Sequence, residues 1–178
     1  MGRIFGTDGA RGVAITELSC EMAMSIGRAA VLALTEGGSG GKAKIIIGKD
    51  TRISSDPLEA ALVAGITSVG ADVTLLGVVP TPAVAFLVKK YGASAGVMIS
   101  ASHNTVEYNG IKLFSGDGFK LPDETENEIE SIILDKSREI KLASGVNVGR
   151  VYYAENAVND YVEHLLETVN RGLFDIRI

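Results

Sequence analysis

The chain has no tryptophan, one cysteine, two histidines and four prolines in 178 residues. Each shortage excludes something. A single thiol, Cys20, cannot close an internal disulfide, so the expected setting is reducing and cytoplasmic. One cysteine with His103 and His164 leaves too few ligands for a zinc site. Aromatic residues make up only 6%, so alanine, valine, isoleucine and leucine must fill the interior. Basic residues do not exceed acidic ones, and the net charge is −5. A nucleic-acid partner is therefore not expected, because phosphates demand a basic face. No apolar run is long enough to span a bilayer, so no membrane partner is expected. The start, Met1-Gly2-Arg3-Ile4-Phe5-Gly6, carries no apolar signal core, and Gly6 stands where a myristoylation signal wants serine or threonine.

What is present suffices for a fold: 46% of residues are hydrophobic, enough for one good core and the start of a second unit. Gly6-Thr7-Asp8-Gly9-Ala10-Arg11-Gly12 places an arginine among three glycines. It reads either as a close-approach loop that forks Arg11 onto a phosphate or carboxylate, or as a tight surface turn. It is not a Walker loop. Ser19 caps a helix running to about Leu34, and the glycine-rich residues 37–41 form a flexible connector. Lys44-Ile45-Ile46-Ile47-Gly48 is a short buried strand, and Asp50 and Arg52 follow it as bridges from loop to helix. Asp56-Pro57-Leu58-Glu59 is a helix start with a capping box, followed by the stripe Leu58, Leu62, Ile66 and Val69. A strand over 72–79, a helix opening at Thr81-Pro82 and a further strand lead to Val97-Met98-Ile99-Ser100-Ala101-Ser102-His103-Asn104.

Strands and helices that alternate through short loops predict an α/β fold, a mixed, mostly parallel sheet flanked by helices. Asn109-Gly110 is expected to turn the chain into an antiparallel strand at 111–114. Asp123-Glu124-Thr125-Glu126 predicts a second capping box, residues 139–153 are expected to be irregular or hairpin-like, and Asn156 is expected to cap a last helix. Residues 174–178 start another strand, so the chain is expected to be the N-terminal piece of a longer protein.

Ligands gather outside the carboxyl ends of strands in open α/β sheets, which puts Ser102 at the mouth of a cleft. On an extended backbone Ser102 and His103 would face apart, and no glycines flank Ser102 at the spacing of a nucleophile elbow. A hydrolase triad is therefore not expected, and a serine hydrolase stands only as a third reading. A serine that carries phosphate fits better. A serine phosphoester and a sugar phosphoester have nearly the same leaving group, so transfer between them is close to balanced.

These residues match a pattern. Ser100-Ala101-Ser102-His103-Asn104 with Tyr108-Asn109-Gly110-Ile111-Lys112 resembles the phosphoserine loop of the α-D-phosphohexomutases. Phe5-Gly6-Thr7-Asp8-Gly9-Ala10-Arg11-Gly12 resembles the N-terminal signature of the amino-sugar branch of that family, and Asp50-Thr51-Arg52-Ile53-Ser54-Ser55 is similar to a third family segment. The resemblance implies a three-layer α/β sandwich as the first of four domains. It implies a domain over 1–153, with 154–178 as a connecting helix and first strand of a second. It implies interconversion of glucosamine 6-phosphate and glucosamine 1-phosphate through a 1,6-bisphosphate, which also serves as activator. Ser102 would carry the phosphate and touch Mg²⁺ through it, with Ser100 as a bystander that could pick phosphate up. Arg11 and Lys112 would line the reacting phosphate, and His103 and Asn104 would support the loop. The implied partners are a phosphosugar, the remaining domains and a second copy in a homodimer. Two departures stand out: Thr105 replaces the usual proline, and no aspartate-rich metal loop is present, so the main Mg²⁺ ligands are expected elsewhere. The alternatives are phosphomannomutase or phosphoglucomutase activity, or a non-catalytic phosphate-binding domain.

Overall fold

A computed structural model describes residues 2–35 and 42–169. The predicted connector at 37–41 and the predicted strand at 174–178 lie outside the described residues. The elements run β1 (Ala10–Val13), α1 (Cys20–Thr35), β2 (Lys44–Lys49), α2 (Ser55–Ser68), β3 (Asp72–Val78), α3 (Thr81–Lys90), β4 (Ala95–Ile99), β5 (Tyr108–Ser115), α4 (Asp123–Leu134), a 3₁₀ turn (Gly145–Asn147), β6 (Val151–Tyr153) and α5 (Ala157–Thr168). They form one six-stranded sheet in the order β1-β5-β4-β2-β3-β6. The β4-β2-β3-β6 part is parallel, while β5 and β1 add on antiparallel.

Three consecutive isoleucines show why the sheet needs helices on both sides. Ile45 and Ile47 belong to one buried cluster, Ile46 to the other, and none is more than 2% exposed. Successive strand residues point to opposite faces, so a continuous apolar run is stable only in a layer covered twice. On one face α1, α2 and α4 supply Ile26, Leu58, Leu62, Ile129 and Ile132. On the other, α3 supplies Val84, Leu87 and Val88. This is the three-layer sandwich that the family resemblance implies.

Helix starts depart from expectation. Ser19 does cap α1, its Oγ accepting from Met22 N at 3.2 Å. At α2 and α4 no side chain caps the first turn. Asp56 and Glu59 both pair with Lys49 instead, and Glu126 accepts from Lys120. A cation reaching in from outside the helix outcompetes the local backbone for these carboxylates. Asn156 likewise makes no side-chain cap at α5. The stretch expected to be irregular holds β6, a three-residue edge strand whose exposed side chains leave no alternation to read.

Helix α5 folds back onto α3. Ala157 is buried, the His164 ring stacks on Phe86 with centroids 3.9 Å apart, and Asp160 accepts from Lys90 and Tyr91. Burial and the Asp160 contact raise the Tyr91 hydroxyl well above its usual range. Val158, Val162, Leu165 and Leu166 stay exposed.

Candidate active site

Strand β4 is buried along its whole length, so its end is a fixed point in the fold. The chain leaves it at Ser100, loops through Glu107 and returns as β5. Asn109 and Gly110, expected to make the turn, lie inside β5. Asn109 is fully buried: its Nδ2 donates to Ser54 Oγ and Ser55 Oγ, each at 3.0 Å, and its Oδ1 accepts from Gly110 N at 2.8 Å. A side chain satisfied in this way joins a strand that its dipeptide would otherwise break.

At Ser102 the backbone is left-handed, with φ +56°, where extended chain was expected. A residue with a Cβ pays roughly 1–2 kcal/mol for that conformation, and it persists where the surroundings impose it. Two imposing contacts are close. Ser102 N donates to Ser100 Oγ at 3.0 Å. Arg52 donates to three loop carbonyls: Nη1 to Thr105 O at 2.7 Å, and Nη2 to Ser102 O at 3.1 Å and Asn104 O at 2.7 Å. Thr105 is thus held through its carbonyl, where the resemblance expects a proline. The Ser102 side chain is exposed and makes no hydrogen bond among the described residues.

Asp50 sets Arg52 in place. Its Oδ2 accepts from Arg52 Nε at 3.0 Å, and its Oδ1 accepts from Arg52 N and Ser55 Oγ, also at 3.0 Å. Burial disfavours its charge, but hydrogen bonds from the Arg52 backbone, Ser100, Ser55 and the guanidinium outweigh that and hold the carboxyl below its usual range. The Ser100 hydroxyl is buried and accepts from Ser102 N.

Arg11 approaches from β1, opposite Gly110. A Cβ at Gly110 would lie 3.0 Å from Arg11 Cγ and 2.8 Å from Ser100 O, so only glycine lets the arginine cross. Its contacts are long, 3.4 Å to Asn104 Oδ1 and 3.4 Å to Asp8 Oδ2, and its Nε is buried without a partner among the described residues. Lys112 follows Gly110 by two residues on β5, which puts it on the same face of the sheet as Arg11. It opens into a neighbouring cavity of about 250 Å³ with Thr7, Asp8 and Gly9, while Ser102 and Asn104 line a groove of about 680 Å³ with Asp50 and Arg52. Ser102 and Asn104 therefore share one groove, Arg11 reaches the loop at Asn104, and Lys112 lines a separate cavity with Thr7, Asp8 and Gly9. His103 is exposed and its side chain makes no hydrogen bond among the described residues.

A residue the sequence reading passed over anchors the start of the chain. The Glu130 side chain is 3% exposed and accepts from the backbone N–H groups of Arg3, Ile4 and Phe5 at 2.8, 2.7 and 2.8 Å. Burial opposes its ionisation, but the three N–H donors and Arg3 prevail and keep its carboxyl below the usual range. Just beyond, Gly6 and Gly9 bond each other across a tight turn, and Gly9, at φ +91°, has no room for a Cβ against Ile111 O. The clamp and the turn aim Arg11. Glutamates 126 and 130 share a stripe with Ile129 and Ile133 on α4, the one sequence signal for this role.

No group of three or more acidic, histidine or cysteine side chains that could hold a metal occurs among the described residues, and no helix there is long and apolar enough to cross a membrane. Asp50, the carboxylate at the Ser102 groove, is already committed to Arg52, Ser55 and Ser100.

Residues 2–139 match the family described as phosphoglucomutase/phosphomannomutase, alpha/beta/alpha domain I. The chain belongs to this family. Among curated members, it is 55% identical over all 178 residues to a phosphoglucosamine mutase of Clostridium novyi and 54% identical to one of Desulforamulus reducens. It spans 39% and 40% of the length of those two relatives. The crystal structure of a phosphoglucomutase/phosphomannomutase family protein from Burkholderia thailandensis superposes with a TM-score of 0.74 at 26% identity, over 94% of this chain and 36% of that one. The mixed sheet and its helices are thus the family's first-domain architecture.

Proposed function

We propose that the chain is the phosphate-carrying first domain of a phosphoglucosamine mutase. In this reading residues 1–153 are that domain, α5 leads into a second one, and further domains of the same polypeptide complete the site. The observation that carries the reading is Ser102: an exposed hydroxyl, uncommitted among the described residues, on a left-handed residue at the end of a buried strand, with an under-used arginine reaching the same loop at Asn104. The identity to curated phosphoglucosamine mutases, higher than to the solved family member, favours the amino sugar over mannose or glucose phosphates.

Phosphate on Ser102 passes to O1 of glucosamine 6-phosphate. The P–O bond to serine breaks as the bond to O1 forms, O1 loses its proton and the serine oxygen gains one. The 1,6-bisphosphate then returns its other phosphate to Ser102, leaving glucosamine 1-phosphate. Such transfer depends chiefly on positioning and on offsetting charge. Arg11 supplies an unpaired Nε–H and Lys112 an ammonium. Mg²⁺ finds no complete donor set among the described residues. A phosphate on Ser102 would be this chain's ligand to it, and a cytoplasmic homodimer with bisphosphate as activator is part of the same proposal.

Losing one charge-assisted contact to phosphate costs about 1.5–3 kcal/mol. Arg11→Ala and Lys112→Ala are therefore each expected to slow the longer enzyme by about 10- to 100-fold at an unchanged melting temperature; an unchanged rate with a lower melting temperature would assign that residue to the fold instead.

The function itself is tested by offering glucosamine 6-phosphate, mannose 6-phosphate and glucose 6-phosphate, with catalytic bisphosphate and Mg²⁺, to residues 1–178 and to the longer protein. The expected result is turnover of the amino sugar by the longer protein and none by residues 1–178, which offer nothing to orient the far phosphate. Preference for mannose or glucose phosphate would move the chain to another branch, and turnover by residues 1–178 alone would refute the reading as one domain of several.

A further inference from the structure

Two arginines meet the Ser102 loop, and their donors are used in opposite ways. A guanidinium carries five N–H groups in a rigid plane. In Arg52 four of them are spent: Nε on Asp50, one of Nη1 on Thr105 O, and both of Nη2 on Ser102 O and Asn104 O. In Arg11 the Nε is unpartnered and both other contacts are 3.4 Å long. Arg11 has capacity for an incoming anion, whereas Arg52 is committed to backbone.

We propose that Arg52, oriented by Asp50, is a positioning residue that fixes the phosphate-bearing Ser102 in its left-handed conformation, and that it does not bind phosphate itself. The inference rests on the phosphocarrier reading above. Three carbonyls gathered on one planar group fix the peptide planes that follow Ser102, Asn104 and Thr105. Ser100 fixes Ser102 N from the other side. Between them, the backbone on both sides of Ser102 is held, and the direction in which its hydroxyl leaves the loop follows. The charge pattern agrees. Asp50 lies against Arg52 at 3.0 Å, so the pair adds little net attraction for a phosphate dianion.

The test uses the longer enzyme with Arg52→Lys, Arg52→Ala and Asp50→Asn. Steady-state kinetics on glucosamine 6-phosphate and quenched-flow phosphorylation of Ser102 by glucosamine 1,6-bisphosphate, followed by intact mass, are read together. A misplacement near 1 Å lowers rate by about 100-fold. Arg52→Lys is therefore expected to lose about that factor in kcat and in the phosphorylation rate of Ser102, with KM little changed, because an ammonium keeps the charge but cannot span three carbonyls. Asp50→Asn should lose less while keeping the same kcat-against-KM split. If Arg52→Ala fails to fold, Arg52→Lys, which retains stem and charge, carries the result. A folded Arg52→Lys with normal kcat overturns the inference, as does a raised KM at unchanged kcat, the signature of a phosphate clamp. An active wild-type enzyme with no phosphate on Ser102 overturns both this inference and the reading beneath it, and the mass spectrum separates that case from the others.

Discussion

Ser102→Ala is expected to abolish turnover in the longer enzyme, by on the order of 10⁴-fold or more, as removal of an attacking serine does elsewhere. The fold should not notice. The side chain is exposed and makes no hydrogen bond among the described residues, and alanine meets the same left-handed backbone that serine does. Ser102 N keeps its bond to Ser100 Oγ and Ser102 O its bond from Arg52, since both belong to the backbone. Melting temperature should therefore stay within about a degree, in keeping with a surface substitution. Intact mass should lose one phosphate relative to wild type. Near-normal activity in the variant would remove Ser102 from the chemistry, and an intact phosphate on the variant would place the modification elsewhere.

Glu130→Ala should have the largest effect on stability. The substitution strands three backbone donors, one of them on the buried Phe5. An unsatisfied buried polar group costs about 1–3 kcal/mol, so the set amounts to roughly 3 kcal/mol or more. For a chain of this size that corresponds to a fall of about 6–12 °C in melting temperature. Glu130→Gln retains one acceptor oxygen and should lose less. The pH dependence discriminates further. The folded carboxyl titrates below its unfolded value, so its contribution is complete above the unfolded value of about 4.3 and disappears as pH falls through the lower folded value. Wild type should exceed Glu130→Gln by a constant margin from pH 5 to 8, and the margin should close under acid. A gap that persisted unchanged through acid would show that packing, not the charge, makes the difference.

Much of this was legible in the sequence because it is written in period and composition. Buried runs such as Ile45-Ile46-Ile47 and stripes such as Leu58, Leu62 and Ile66 give the alternating elements, and the alternating elements give the sandwich. The Ser102 loop was legible as a change of chemistry at the end of a strand. The parts that stayed hidden depend on partners far along the chain. Asp56, Glu59 and Glu126 look like local caps until Lys49 and Lys120 reach them. Asn109-Gly110 looks like a turn until Ser54 and Ser55 satisfy the amide. Arg52 looks like a loop charge because its acceptors, about fifty residues on, are carbonyls that no side-chain pattern marks.

The sheet order also sets a timetable for assembly. Arg11 sits in a strand whose partner, β5, is made about a hundred residues later, and Phe5 waits 125 residues for Glu130. Loops of that length close slowly, and non-local pairings of this kind dominate folding time. During synthesis this segment is thus among the last to find its place, while α1, β2, α2 and β3, neighbours in sequence, can already pack. The Arg11 guanidinium reaches Asn104 only when β5 and α4 have emerged, so this side of the Ser102 loop is completed at the end of folding of these residues.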